Sequence, residues 1–238
     1  MLRKTQPSEF VQYLVSTLDN HPGSDQLPSL QDISQELGVS MARLREQLEV
    51  AKALGMVEVR PRTGMRRLPY SFSPAVQRSL LYGLEVNPAY FEAFSDLRNH
   101  VEAAYWFQAV ELLTPQDHAE LHRLIDQAWE KLRGYPIHIP HQEHRQLHLT
   151  IFKKLENPFV LGILEAYWEA YEIVGLNLYT DYDYLEKVWQ YHQNMVEAIC
   201  AGDFQAGYQA LIEHKDLLHS RRAPALVGEN GNDSTKES

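Results

Sequence analysis

Four histidines occupy helix positions where apolar side chains are expected, and they are the first candidates for chemistry. His148 shares one predicted helix face with Ile151 and Leu155, and His144 lies one turn earlier on that face. His192 and His214 continue apolar stripes on two later predicted helices in the same way. A single histidine on an apolar face is usually a hydrogen-bonded core residue. Four of them on three helices predict a site for a divalent transition metal, and imidazole nitrogen suits zinc or nickel better than magnesium or calcium.

Three other histidines are weaker candidates than these four. His141 shares the face of His144 and His148, so it remains an alternative to His144 as a ligand, although it follows Pro140 in the first helical turn. His118 and His122 form an i, i+4 pair, but polar neighbours predict an exposed pair and the intervening residues do not form the H-E-x-x-H pattern of zinc hydrolases.

Arg98 is the candidate for effector binding. It pairs at i, i+4 with Glu102, which is commonly a surface ion pair worth about 0.3 to 0.5 kcal/mol. The alternative is that Arg98 faces inward, since it shares a face with the apolar residues around it. Four neutral imidazoles leave a bound cation with its full double charge. We therefore predict that a small carboxylate, or a similar oxyanion, completes the site.

A predicted helical bundle must position these residues. Helices are predicted over residues 75–84, 89–112, 116–132, 140–155, 158–177, 183–201 and 203–220, separated by proline and glycine. The predicted fold is mainly α, with an antiparallel bundle of about six or seven helices over residues 75–222 that binds the effector and dimerises. Pro69 and Pro74 predict a linker over 69–74. Residues 223–238 are polar and rich in glycine, and we expect them to be disordered.

Residues 1–68 read as a DNA-binding domain. Ser29 can cap a short helix that ends at Gly38, and Ser40 can cap a second helix over 41–54. Short strands over 57–60 and 65–68 then flank the turn PRTG. Alone, a helical corner or an arginine cluster is weak evidence, but together they predict a winged helix-turn-helix. The residues predicted to contact DNA are Ser29, Ser40, Arg43, Arg45, Arg62, Gly64, Arg66 and Arg67.

Charge is divided unevenly along the chain of 238 residues. Residues 1–70 carry nine basic and eight acidic side chains, whereas residues 71–238 carry 13 and 24, a net charge of −11. Phosphate contacts must therefore be local to the first part, and the acidic part is expected to form a homodimer away from DNA. The single cysteine, Cys200, is predicted to be a core residue. No signal peptide or membrane span is visible, which predicts a cytoplasmic protein.

Two segments resemble known families. The stretch LPSLQDISQELGVS followed by LREQLEVAKALGMVEVRPRTGM resembles the winged-helix domain of bacterial GntR-type transcription regulators, although Gln31 and Met41 stand where that family usually has arginine. The segments LRNHVEAA, HRQLHLTIFKKLENP, YHQNMVEAI and IEHKDLL resemble the helical FCD effector domain. That resemblance implies metal ligands at His144, His148, His192 and His214, with His144 where the family normally has Asp.

The prediction is a ligand-responsive regulator that binds a pseudo-palindromic operator in double-stranded DNA as a dimer and is not an enzyme. One alternative is a metal-binding helical-bundle enzyme, which is disfavoured because no Glu-x-x-His pair, phosphate loop or Ser-His-Asp arrangement is visible. A second alternative is a regulator whose metal site is purely structural.

Overall fold

The computed structural model describes residues 6–20, 24–175 and 182–220. Within those residues the chain forms ten helices and one three-stranded sheet, so the predicted fold class is confirmed. The elements are α1 (Glu9–Asn20), β1 (Gln26–Leu27), α2 (Leu30–Leu37), α3 (Met41–Ala53), β2 (Val57–Arg60), β3 (Gly64–Arg67), α4 (Ser73–Val86), α5 (Tyr90–Glu111), α6 (Pro115–Arg133), α7 (His141–Phe152), α8 (Pro158–Gly175), α9 (Tyr182–Ala201) and α10 (Phe204–Ser220).

Helices α2 and α3 begin at the two predicted serine caps. The Ser29 hydroxyl accepts the backbone N–H of Asp32 at 3.2 Å, and the Asp32 carboxylate accepts the backbone N–H of Ser29, so the two form a capping box. The Ser40 hydroxyl accepts the backbone N–H of Arg43. Gly38 ends α2 with a φ of 63°, a left-handed conformation that glycine adopts without steric cost.

The sheet contains one strand more than the two that the sequence indicates. Strand β3 is central and antiparallel to both neighbours, with Arg66 opposite Gln26 of β1 and opposite Glu58 of β2. β3 begins at Gly64, one residue before its predicted start. Helix α1 was also not predicted, and it contributes Phe10 and Leu14 to the core that holds Ile33 and Leu44 of the helix pair.

The seven helices from α4 onward begin and end within three residues of their predicted bounds wherever those bounds are described. Helix α7 shows the largest difference, because it ends at Phe152 whereas the sequence predicts an end at 155. Leu155 is nevertheless buried. The predicted tail, 223–238, lies outside the described residues.

The chain divides into two compact units, Met1–Arg98 with Leu155–Leu176, and Asn99–Lys154 with Asn177–Ser238. In the first unit, α4 packs against α8. Gly162 of α8 lies so close to α4 that an added Cβ would be 2.7 Å from the Phe72 Cβ and the Ser73 backbone nitrogen. The predicted linker therefore overlaps the start of a packed helix.

Helix α3 is joined to α4 within the same unit. Gly55, at the turn after α3, has a φ of 69°, and an added Cβ there would be 2.6 Å from the Pro74 side chain. The Arg78 guanidinium of α4 donates to the backbone carbonyl of Ala53. The end of α3 thus rests directly on the first two turns of α4.

In the second unit, α6 packs against α7 and α9, and α9 packs against α10. Helix α5 reaches α10 through Trp106, whose indole N–H donates to the carbonyl of Phe204 at 2.9 Å. Gly207 of α10 leaves room for that indole, because an added Cβ would be 2.8 Å from it. These contacts bring α5, α7, α9 and α10 around one interior.

A buried carboxylate secures the end of α7 against the start of α6. Asp117 completes a capping box with Thr114 and accepts from Lys153 at 2.7 Å and from Lys154 at 2.9 Å. Burial by itself raises the pKa of Asp117, but the hydrogen bonds from Lys153, Thr114 and Lys154 together hold that pKa far below its ordinary value.

Among the described residues, no helix has both the length and the apolar character needed to span a lipid bilayer.

Candidate functional site

The four predicted metal-ligating histidines meet in the interior of the second unit. His144 and His148 come from α7, His192 from α9 and His214 from α10. The six distances between their ring centroids run from 4.4 Å for His192 and His214 to 5.8 Å for the two pairs that His214 forms with α7. His148 and His192 are fully buried and His214 is 2% exposed. Three helices therefore turn imidazoles toward one point.

The nitrogen positions suit a shared cation. One ring nitrogen each from His144, His192 and His214 lies within 4.8 Å of the others. The Nε2 atoms of His148 and His192 are 3.0 Å apart. Two nitrogens that ligate one ion at about 2.1 Å are about 3.0 Å apart at a right angle and at most about 4.2 Å apart. The 4.8 Å spread of the three nitrogens exceeds that upper limit, so side-chain movement is needed to close the set around one ion.

Glu102 of α5 lies directly behind this cluster. Its Oε1 is 3.2 Å from the Nδ1 of His148, and both side chains are fully buried. An ionised carboxylate can only accept, so this contact favours the tautomer of His148 in which Nδ1 carries the proton. The Nε2 lone pair of a neutral His148 then points to the other side, toward His192.

Glu102 was not predicted as a site residue, although its position in the sequence of α5 gives a signal for it. The buried stripe of α5 runs through Arg98, Glu102, Trp106 and Ala109, at steps of four, four and three. The apolar residues at helical spacing around Arg98 are Phe94, Val101 and Tyr105, and they are only half-buried. A carboxylate four residues before a core tryptophan was the available clue.

The other histidines are placed differently. Neither His141, the half-buried first residue of α7, nor His148 is among the three histidines whose ring nitrogens lie within 4.8 Å of one another. On α6, His118 is half-buried and His122 is exposed.

Arg98 is buried, with 1% of its surface exposed, so an ordinary solvated surface pair does not describe it. Its guanidinium carbon lies 4.8 Å from the centre of the Tyr167 ring and 5.1 Å from that of Trp168, both on α8. Such stacking suits the planar, cationic guanidinium. Effector binding by Arg98 stays a prediction.

The arginines predicted to contact DNA differ in their exposure and in their contacts within the protein. Arg45, Arg62 and Arg66 are exposed, on α3, at the wing tip and on β3 respectively. Arg43 is exposed as well, but it forms an ion pair with Glu9 at 2.6 Å that links α3 to α1. Arg67 is only 13% exposed and donates to the Thr17 hydroxyl at 3.1 Å.

The remaining three candidates lie at helix starts and in the wing. Ser29 and Ser40 are exposed caps, at the helix ends where backbone N–H groups favour anions. Gly64 is exposed and has a φ of 78°, next to the tight wing turn in which Arg62 also has a left-handed φ of 70°.

Comparison with known proteins assigns this combination of winged helix and helical bundle to a class. The model of the FCD domain matches residues 93–217, more than half of the chain. The chain belongs to the FCD domain family, and the prediction of a GntR-type regulator with an FCD domain is confirmed.

Named relatives support the same class. A transcriptional regulatory protein by its assigned name, NedR of Micromonospora viridifaciens, is 33% identical over 82 residues, which are 34% of this chain and 59% of NedR. The chain is also 22% identical over 208 residues to the fatty acid metabolism regulator protein of Haemophilus influenzae, covering 85% of this chain and 84% of that protein. The solved structure of Streptococcus agalactiae GntR matches the fold with a TM-score of 0.66 at 16% identity, covering 89% of this chain and 97% of that chain.

Proposed function

We propose that this GntR-type regulator binds an operator in double-stranded DNA as a homodimer, and that a divalent metal with a small carboxylate effector in its helical bundle modulates that binding. The observation that carries the proposal is the convergence of four imidazoles, three of them almost completely buried, from three helices. Imidazole costs more to bury than an apolar side chain, and a bound cation would compensate that cost for the whole cluster.

His144, His148, His192 and His214 are the proposed ligands, and zinc or nickel is the cation that best suits an all-imidazole set. A bound cation would act as a Lewis acid that attracts an anionic effector. The four ligands cancel none of its charge, and one carboxylate behind them would cancel only half of it, which favours a carboxylate or similar oxyanion over a neutral molecule. Arg98 is the second proposed contact for that anion, because a guanidinium binds carboxylates through two parallel hydrogen bonds.

The proposed DNA contacts divide by surface. Arg45 on α3 is suited to read base edges, whereas Arg62 and Arg66 on the wing are suited to phosphate or the minor groove. The structure gives Arg43 and Arg67 intramolecular partners in Glu9 and Thr17. Their contribution to DNA binding is therefore proposed to be smaller than that of the other three arginines.

A groove between α4 and α5 supports self-association. It has a volume of about 850 Å³, and none of its lining residues is charged. Its edges include the exposed side chains Tyr82, Val86, Tyr90 and Leu97. Two copies that each carry a charge of −10 repel each other least where an uncharged face meets its own copy. We propose a second copy of this chain as the occupant.

Calorimetry on the full chain tests the metal and effector parts of the proposal. Chelator-treated protein is titrated with zinc and with nickel, and metal-loaded and metal-free protein are then titrated with candidate carboxylates. We expect one metal per chain and carboxylate binding only when the metal is present. The variant His148→Ala should lose metal affinity by more than about 100-fold, since even residues behind a ligand cost 10–100-fold.

His122→Ala is the matched control, because it removes an exposed histidine outside the cluster and should bind metal as the wild type does. Equal carboxylate affinity with and without metal would contradict the metal-centred effector site. Metal binding without any carboxylate binding would leave a purely structural metal. Turnover of a bound organic acid by the metal-loaded protein would favour the enzyme alternative.

A further inference from the structure

We propose that Glu102 is a positioning residue of the metal site, which holds His148 in the tautomer that ligates and places one negative charge behind an imidazole set that has none. This inference rests on the proposed function, because it concerns the same site. The observation behind it is the 3.2 Å contact between Glu102 Oε1 and His148 Nδ1, with both side chains fully buried.

The contact fixes which nitrogen of His148 is available. A neutral imidazole has one N–H and one lone pair, and the carboxylate of Glu102 takes the N–H of Nδ1. The lone pair is then on Nε2, which lies 3.0 Å from the Nε2 of His192. In the other tautomer, Nδ1 would present its lone pair to a carboxylate and Nε2 would present a proton to the cation. Glu102 thus selects the tautomer that is able to ligate.

The other buried acids of the described chain have a different task. Asp117 accepts from Lys153 and Lys154, and Glu143 accepts from Lys131 at 2.7 Å. Those carboxylates join helices through lysines. Glu102 instead contacts a proposed ligand.

Charge gives the contact a second effect. Burying a divalent cation among neutral groups is costly, and the cost falls when an anion lies nearby. A carboxylate that accepts from a ligating imidazole also raises the basicity of the opposite nitrogen. Glu102 therefore strengthens binding of zinc or nickel while it leaves the positions facing the cation to nitrogen.

Zinc titration of the chelator-treated full chain tests this role with two variants. Glu102→Gln keeps the shape and an acceptor oxygen but removes the charge, whereas Glu102→Ala removes both. We expect zinc affinity to fall in the order wild type, Glu102→Gln, Glu102→Ala, with a loss of about 10- to 100-fold for the alanine variant. Glu143→Gln is the matched control, because it neutralises a buried carboxylate of α7 that pairs with Lys131, and it should stay within about twofold of wild type.

Two further measurements separate positioning from packing. Nitrogen NMR of the zinc-free protein reports the tautomer of His148, which should be the Nδ1–H form in wild type and a mixture in Glu102→Ala. Placing a carboxylate on α7 by His144→Asp should reduce the zinc-affinity loss caused by Glu102→Gln, because the charge is then supplied from another residue.

The outcomes are distinct. If wild type binds zinc and both Glu102 variants bind it equally well, with only thermal stability reduced, Glu102 is a packing residue and the inference is wrong while the proposed function stands. If wild-type protein binds neither zinc nor nickel, the proposed metal site itself is rejected, and the role of Glu102 with it.

Discussion

Arg45 and Arg66 are both exposed arginines of the winged helix, but they lie on surfaces that read different parts of DNA. Arg45→Ala should cost about 1 to 3 kcal/mol on the specific operator and relax the preference at one base position. Arg66→Ala should weaken binding to all sequences and reduce the slope of affinity against salt by about 1. Fluorescence anisotropy with operator and random duplexes, over a range of salt concentrations, measures both effects.

Arg123→Ala is the control for this pair, because it removes one exposed arginine of α6 that pairs with Glu120 and should leave DNA binding unchanged. Equal losses on operator and random DNA for Arg45→Ala would reject its role as a base reader.

Single site residues were predictable from the sequence where they repeat at helical spacing. The four histidines were predicted from their place on apolar stripes, and three of them are buried. The partners of Arg43 and Arg67 were not predictable from the sequence, because Glu9 and Thr17 lie 34 and 50 residues away in the chain. A side chain's choice between solvent and a distant partner depends on tertiary contacts that periodicity does not describe.

At the scale of an element, Asp117 ties the start of α6 to the end of α7. Asp117→Asn should destabilise the protein by about 1 to 2 kcal/mol near neutral pH, since it weakens a helix cap and two lysine contacts. Its lowered pKa means that the charged form is stabilised by folding. The difference in unfolding free energy from wild type should therefore be constant from pH 7 to 5, and should shrink as the pH falls below about 4.

Urea unfolding at a series of pH values measures this difference. Asp126→Asn, an exposed substitution on the same helix, should show no such loss. A difference between wild type and Asp117→Asn that grows on acidification would contradict the assigned charge state.

The helices were predictable because their ends are marked locally. Thr114 before Pro115 and Asn157 before Pro158 mark helix starts in the sequence itself. Strand β1 has only two residues, and what makes it a strand is its pairing with β3, about 40 residues later. An element that depends on a distant partner leaves little trace in its own sequence.

For the whole molecule, the uncharged groove between α4 and α5 predicts how two copies associate. Tyr82→Glu places a charge on its edge, at a side chain that is 74% exposed, and should shift the full-length protein from dimer toward monomer. Sedimentation velocity at micromolar concentration measures the change. Tyr135→Glu is the control, because that tyrosine is fully exposed and lies outside the groove. A Tyr82→Glu protein that stays fully dimeric would place the interface on another face.

The seating of α3 on α4 bears on the engineering of chimeric biosensors, in which the reading head of one regulator is fused to the sensing domain of another. A fusion point at residues 69–74 would remove the contacts of α3 with Pro74 and Arg78 of α4. Helix α3 would then pack against a helix of the other protein. A transplanted head should carry α4 with it. The recipient domain must then have a small residue at the position of Gly162, because a larger side chain there would clash with Phe72.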